Sequence, residues 1–204
     1  MSIDHRAIRI IKKAIANLNL DLQSYSVLTE VGSGNYKYSP IIPLLAGAKQ
    51  VYAWTYDSSH GKSEDIIKQC YEIAKYLDLD NRIQFSANKK EIEHIKQADI
   101  ITNSGFIRPL NEDLLKYTKS NVVVPLMYEA WEIRKQDIDI EYCKEKNIKV
   151  AGTWENHPKI KVFSAIGPLA IKLSLEAGYE VYQNEIIIWS DDYFGDEVEK
   201  AFKK

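Results

Sequence analysis

Residues 25 to 57 constrain this chain more than any other stretch. Tyr25-Ser26-Val27-Leu28-Thr29-Glu30-Val31 is a largely apolar run that reads as a buried strand. A glycine turn follows, Gly32-Ser33-Gly34-Asn35. A short helical stretch from Pro40 to Ala46 stops at Gly47, and a second apolar run, Gln50 to Thr55, ends beside Asp57. Strand, glycine turn, helix, strand and acid in that order predict a unit with a nucleotide-sized crevice at its strand ends.

The chemistry of such a turn is simple. Glycine lets the backbone bend tightly and lets phosphate approach main-chain N–H groups. Gly32, Ser33, Gly34 and Asn35 are therefore the first candidate cofactor contacts. Asp57 lies 23 residues after Gly34, the spacing at which an acid reaches a ribose hydroxyl. The pattern is incomplete, because Lys37 stands where a third glycine would be. Pro40 and Pro43 also remove two N–H donors from the start of the helix. Either the grip on a pyrophosphate is weaker than in the full pattern, or the ligand lies differently. A plain glycine turn beside an empty crevice is the other reading. If Asp57 holds a ribose, Asp57→Ala weakens cofactor binding with little loss of stability. If Gly34 borders the ligand, Gly34→Val blocks its entry.

Composition narrows the class. At 204 residues and 45% apolar content the chain suffices for one good-sized domain, or one domain and a fragment. A net charge of −2 gives no general attraction to nucleic acid or to an anionic membrane. Cys70 and Cys143 sit in separate helical patterns, which predicts two core thiols in a reducing compartment. Asp4, His5 and Arg6 interrupt any apolar leader, and no run reaches the length of a membrane span. The four histidines are scattered without metal-ligand spacing. The expectation is a cytoplasmic protein that binds a small molecule. Thirteen tyrosines and four tryptophans leave self-association open.

The rest of the chain alternates helical and strand patterns. An amphipathic helix spans Met1 to Leu20, and another spans Ser63 to Leu77. Ser58 and His60 fall near the place of a ribose. The run Ala98 to Thr102 leads into Asn103-Ser104-Gly105, a small polar turn at the same crevice edge if the sheet is parallel. Asn103 and Ser104 are thus further cofactor-binding candidates, and a well-satisfied turn is the alternative. After a β-branched strand at Val122 to Leu126, Glu129, Glu132 and Arg134 offer acid–base and carboxylate-binding groups. They would equally form an ion pair on a loop. His157, in the polar turn after Gly152, is the histidine best placed for catalysis. A long apolar helix from Ile160 to Ala177 carries Gly167-Pro168, which predicts a kink or break. A last strand is expected at Glu185 to Trp189, with a terminal helix from Asp196. Six or seven strands alternating with helices predict a three-layer α/β fold with a doubly wound, mostly parallel sheet. The expected division is one nucleotide-binding domain over residues 1–180 and a strand–helix piece over 181–204.

Two families share these patterns. Glu30-Val31-Gly32-Ser33-Gly34 with Asp57 resembles NAD(P)-binding Rossmann domains. Residues 98–153 resemble the first domain of D-isomer-specific 2-hydroxyacid dehydrogenases. That likeness rests on Pro109-Leu110-Asn111-Glu112-Asp113-Leu114-Leu115 and on the run from Asp137-Ile138-Asp139 through Cys143-Lys144-Glu145-Lys146 to Thr153. In that family the run is scaffold. The segment from Glu185 to Gly195 resembles the opening of another nucleotide-binding unit. These resemblances imply NAD or NADP and an oxidoreductase acting on a small polar substrate. Glu129, Glu132, Arg134 and His157 are the catalytic groups at hand, and Asp57 favours NAD because an acid repels a 2′-phosphate. Glu30-x-Gly32-x-Gly34 also resembles the first motif of S-adenosylmethionine-dependent methyltransferases, and Leu79 to Phe85 their connection before the third strand. A third reading is non-enzymatic: a degenerate Rossmann domain that serves as a binding module.

Overall fold

Every residue of the first strand, β1 (Ser26–Glu30), is buried, which only a strand covered on both faces can show. In the computed structural model, which describes residues 3–160 and 162–203, β1 is central in a six-stranded sheet. The other strands are β2 (Gln50–Thr55), β3 (Ile83–Ala87), β4 (Ile100–Ile101), β5 (Val123–Pro125) and β6 (Lys149–Ala151). Their order is β3-β2-β1-β4-β5-β6 and every pairing is parallel. This is the Rossmann order, with the chain reversing direction across the sheet between β1 and β4. The expected three-layer doubly wound fold is present.

Alternation along the strands divides the core into two layers. Leu28, Tyr52 and Trp54 point to one face, where they meet Ile95, Ile101, Leu114, Leu115 and Cys143. Val27, Val51 and Ala53 point to the other, against Ile41, Leu44, Ile66, Cys70 and Ile73. Each set is drawn from its own helices. The first face carries α4 (Ile92–Gln97), α5 (Glu112–Leu115) and α6 (Ile140–Glu145), and the second carries α2 (Ile41–Leu45) and α3 (Ser63–Tyr76). The N-terminal helix α1 (His5–Leu18) is capped by Asp4, whose carboxylate accepts the N–H groups of Arg6 and Ala7. Its Ala7 and Ile11 lie against the second core. Both cysteines are free and buried, and burial pushes the Cys70 thiol up to about 12 and the Cys143 thiol up to about 11. They are core residues, unreactive near neutral pH.

One polar pair lies inside the first core. The Trp54 indole N–H donates to His94 Nδ1 at 3.0 Å, and the His94 ring stacks on Tyr52 at 4.5 Å. The bond fixes a neutral imidazole with its proton on Nε2. Burial lowers the His94 pKa, Lys89 reinforces that shift, and Glu91 opposes it. The unfolded chain therefore takes up a proton near pH 6.5 that the folded chain does not. Stability from this group is complete above about pH 6.5 and is lost as pH falls toward the lower folded value. Urea unfolding at pH 7.5 and 5.5 should show a smaller pH loss in His94→Gln than in the parent. An identical loss would mean that His94 takes no part in it.

The chain divides into two compact units, Met1–Thr153 and Trp154–Lys204, whereas the sequence pattern suggests a boundary near residue 180. The second unit contains a 3-10 turn (Val162–Ala165), α7 (Ile166–Glu176) and α8 (Tyr193–Phe202). The break expected at Gly167-Pro168 is a helix start: both residues lie in the first turn of α7, where proline lacks no needed bond. The strand expected at Glu185 to Trp189 does not form. The segment is irregular, with Ile187 93% and Trp189 99% exposed. A strand pattern alone makes no strand, because the ladder needs a neighbour to supply its hydrogen bonds. Among the described residues no helix is long and apolar enough to cross a membrane.

Candidate functional site

The loops that leave the carboxyl ends of β1 and β4 diverge around a cavity of about 310 Å³. Ligands of open α/β sheets bind at such a reversal point. The first loop supplies Glu30, Gly32, Ser33 and Tyr36 to the lining, and the loop after β4 supplies Gly105, Phe106 and Arg108. Ser58 and His60 follow β2, and Met127 follows β5.

Local chemistry shapes the first loop differently from a phosphate cradle. Gly34 has φ +60, the left-handed region that glycine adopts freely. The chain then forms a 3-10 turn, Gly34–Tyr38, which brings Tyr36 back over Gly32. A Cβ on Gly32 would lie 2.8 Å from the Tyr36 Cβ, so a side chain there would displace the turn. The Gly32 N–H donates to the Tyr36 carbonyl at 3.3 Å, so one main-chain donor expected for phosphate is already engaged. Helix α2 is only five residues long, too short to supply a substantial dipole end. Gly34 itself meets open space: a Cβ there would have no neighbour within 4 Å, and the residue does not line the cavity.

Asp57 has local partners of its own. Its carboxylate accepts the Ser63 N–H at 2.8 Å and the Ser63 hydroxyl at 2.7 Å, and pairs with Lys62 at 3.0 Å. Those bonds, the Ser63 N–H first, hold its carboxyl well below the usual carboxylate range. Asp57 thus ties down the first turn of α3. Its backbone N–H donates to Asn88 Oδ1 at 2.7 Å, which fastens the same loop to the end of β3.

The acid that faces the cavity is Glu30, at the last position of β1 and only 6% exposed. Its Oε2 accepts the Phe106 N–H at 3.3 Å, and the Ser104 hydroxyl also bonds to the carboxylate. Ser104 Oγ lies 2.9 Å from Thr102 Oγ1, which donates to Thr29 Oγ1 at 3.0 Å. Of these hydroxyls Ser104 meets the carboxylate directly, Thr102 lies next to Ser104, and Thr29 lies next to Thr102. Gly105 makes room for it: φ is +23, and a Cβ there would collide with the Glu30 carboxylate. Burial raises the Glu30 pKa, against the Phe106 N–H, the Arg108 charge and the Ser104 hydroxyl.

Arg108 borders the same cavity, but its direct partners are other groups. It pairs with Asp137 at 3.2 Å and donates through Nε and Nη2 to the Asn103 carbonyl at 3.4 and 3.2 Å. Two guanidinium groups lie near the Tyr128 ring, with Arg108 5.7 Å and Arg134 5.2 Å from its centroid. Buried Asn103 donates through Nδ2 to the Tyr128 hydroxyl at 3.3 Å.

Of the cofactor-binding residues read from the sequence, Gly32 and Ser33 line the cavity. Gly34, Asn35, Asp57, Asn103 and Ser104 do not line it. Glu129 and Glu132 form a reciprocal capping box on a 3-10 turn, Ala130–Glu132. Arg134 lies 3.7 Å from Glu132 and 3.9 Å from Asp137. His157 belongs to the second unit, where its Nδ1 accepts the Lys159 N–H at 3.2 Å. None of these four lines the cavity. Sequence pattern did not single out Glu30, Tyr36, Phe106 or Arg108 as site residues. Only Glu30 carried a signal, as an acid closing an otherwise apolar strand.

No family model matches the sequence, and no curated protein does. Solved structures resemble parts of the chain at low identity. The chain is similar to shikimate 5-dehydrogenase from Listeria monocytogenes in complex with shikimate and NAD, at 12% identity and TM-score 0.48, over 69% of this chain and 49% of that one. It is similar to quinate dehydrogenase from Corynebacterium glutamicum in complex with NAD, at 9% identity and TM-score 0.47, over 71% and 49%. It is also similar to an RNA methyltransferase from Salinibacter ruber in complex with S-adenosyl-L-homocysteine, at 14% identity and TM-score 0.32, over 50% and 59%. The matched part spans about half the length of the two dehydrogenases. The strand order of the sheet itself establishes the fold.

Proposed function

We propose that this chain binds a nicotinamide dinucleotide, NAD or NADP, in the crevice between β1 and β4 and serves an oxidoreductase acting on a small polar substrate. The observation that carries this reading is the cavity at the reversal point of a 3-2-1-4-5-6 parallel sheet, with Gly32 and Ser33 in its wall. The fit is to part of the cofactor. A cavity of about 310 Å³ is at the lower end of ligand sites, which suits one nucleoside moiety with the remainder in the open mouth. When bound, the cofactor supplies the hydride chemistry. The chain's own part is to place Gly32 and Ser33 beside it, to enclose it with Tyr36 and Phe106, and to hold Glu30 in the wall. The resemblance of residues 98–153 to 2-hydroxyacid dehydrogenases falls on β4 to β6, and the loops after β4 and β5 supply Gly105, Phe106, Arg108 and Met127 to the cavity. Glu129, Glu132 and Arg134, in the same unit as the cavity, remain candidate catalytic groups for a substrate that extends beyond it, and His157 is a separate candidate within the second unit.

One observation favours a second reading. Glu30 is an acid in the wall, and an acid suits S-adenosylmethionine, which carries an ammonium and a sulfonium group and no phosphate. The test is thermal unfolding of the full chain with NAD, NADP, S-adenosylmethionine or S-adenosylhomocysteine, since a ligand of the native state raises the midpoint. A shift with a nicotinamide cofactor is the expected result. A shift with only the methyl donor or its product would move the assignment to methyl transfer, and no shift with any would leave a binding module. Asp57→Ala in the same assay should lower the midpoint without ligand, because Asp57 holds the first turn of α3. An unchanged midpoint would contradict that role.

A further inference from the structure

We propose that Glu30 reads the charge of the cofactor, and that the crevice favours a cofactor whose buried end is positively charged over its neutral counterpart. The inference rests on the nucleotide-cofactor reading and says which form of the cofactor the site selects. Glu30 is the one carboxylate among the described lining residues, and it is 6% exposed. Neutral donors hold it: the Phe106 N–H at 3.3 Å and the Ser104 hydroxyl. Among the described residues no lysine or arginine forms an ion pair with it. Arg108, the one lysine or arginine in the described lining, forms its ion pair with Asp137 at 3.2 Å and also donates to the Asn103 carbonyl.

A buried acid with no ion-pair partner in contact is costly unless something else meets it, and here the Arg108 charge acts on it only from a distance. Three features show that this one is a built part of the wall. The Ser104 hydroxyl bonds to it, with Thr102 2.9 Å from Ser104. Gly105 is where any side chain would collide with it. The open side of the carboxylate is the cavity. A ligand that fills the cavity puts its own atoms against Glu30. A cation there gains an attraction that a neutral group of the same shape lacks, and the low local dielectric magnifies the difference. Oxidised nicotinamide is a pyridinium cation and reduced nicotinamide is neutral. S-adenosylmethionine carries a sulfonium, and S-adenosylhomocysteine has a neutral thioether in its place. Each pair differs by one charge and little in shape.

Isothermal titration of the full chain with NAD, NADH, S-adenosylmethionine and S-adenosylhomocysteine tests this directly. The charged member of whichever pair binds should be tighter by on the order of tenfold. Glu30→Gln should bring the two members together, and Glu30→Asp, which keeps the charge, should preserve the direction of preference. Equal affinities in the parent protein overturn the proposal, as does a preference that persists unchanged in Glu30→Gln. If Glu30→Gln does not fold, the parent comparison and Glu30→Asp still decide it. The two claims fail differently. Binding without a charge preference removes only the role of Glu30, whereas no binding of any of the four removes the nucleotide reading as well.

Discussion

Trp54→Ala should lower the unfolding free energy by about 3–5 kcal/mol, the cost typical of emptying a large aromatic site in a core. Trp54 is fully buried in β2, opposite Glu30 of β1, in the cluster that holds Tyr52, Leu28 and Ile95. Its indole N–H is also the partner of His94. The alanine variant therefore leaves both a void and an unpaired imidazole nitrogen. Domains of this class are stable by about 5–15 kcal/mol, so the loss is a large share of the total. Trp54→Phe separates the two terms. Most of the packing stays, and what is lost is the bond to His94, about 1–3 kcal/mol for a buried acceptor left unsatisfied. Urea unfolding followed by circular dichroism gives both values from the midpoints, provided that the slope is unchanged. A loss below about 1 kcal/mol in Trp54→Ala would mean that the site repacks completely, contrary to the close packing of such interiors.

The second large effect is expected at Gly105. A methyl group there collides with the Glu30 carboxylate and sits on a backbone at φ +23. Forcing volume into a packed site costs about 1–3 kcal/mol, and the strained backbone adds to it. Glu30 is the more movable partner, and the room available to it is the cavity. On the cofactor reading proposed above, Gly105→Ala should therefore weaken nucleotide binding by more than about tenfold, which is 1.4 kcal/mol. Glu30→Ala removes the group that is struck. In a double-mutant cycle the two changes should be clearly less than additive in stability, by roughly 0.5–3 kcal/mol for groups in contact. Strict additivity would show that Gly105 and Glu30 do not meet in the folded protein.

The site shows where local pattern stops being informative. Asp57 had the spacing of a ribose-binding acid, and spacing along the chain is all that a motif encodes. Its carboxylate instead meets Ser63 and Lys62, six and five residues onward, because a helix start with unpaired N–H groups lies within its reach. Gly34 has the conformation expected of a turn glycine, yet its neighbour Gly32 is the one in contact with the cavity. The difference comes from Tyr36, which the 3-10 turn folds back over Gly32. Glu129 and Glu132 were visible as a concentration of acid, but their three-residue spacing is also that of a capping box.

The elements and their layering follow from the amino-acid order alone. Runs buried on both faces had to lie in a parallel sheet between helices, and the periodic apolar stripes of residues 63–77 and 138–146 had to be covering helices. Both cysteines were legible as core residues in the same way, since each lies on such a stripe. Which acid enters the crevice depended on the assembled sheet. Glu30 is bound to Phe106 and fits against Gly105, residues more than seventy positions away, and they meet it because β4 lies beside β1. The same holds for Glu185 to Trp189, which has the composition of a strand and forms none. A helix closes its hydrogen bonds within its own residues and can be read locally, whereas a strand and a crevice exist only through the neighbours that complete them.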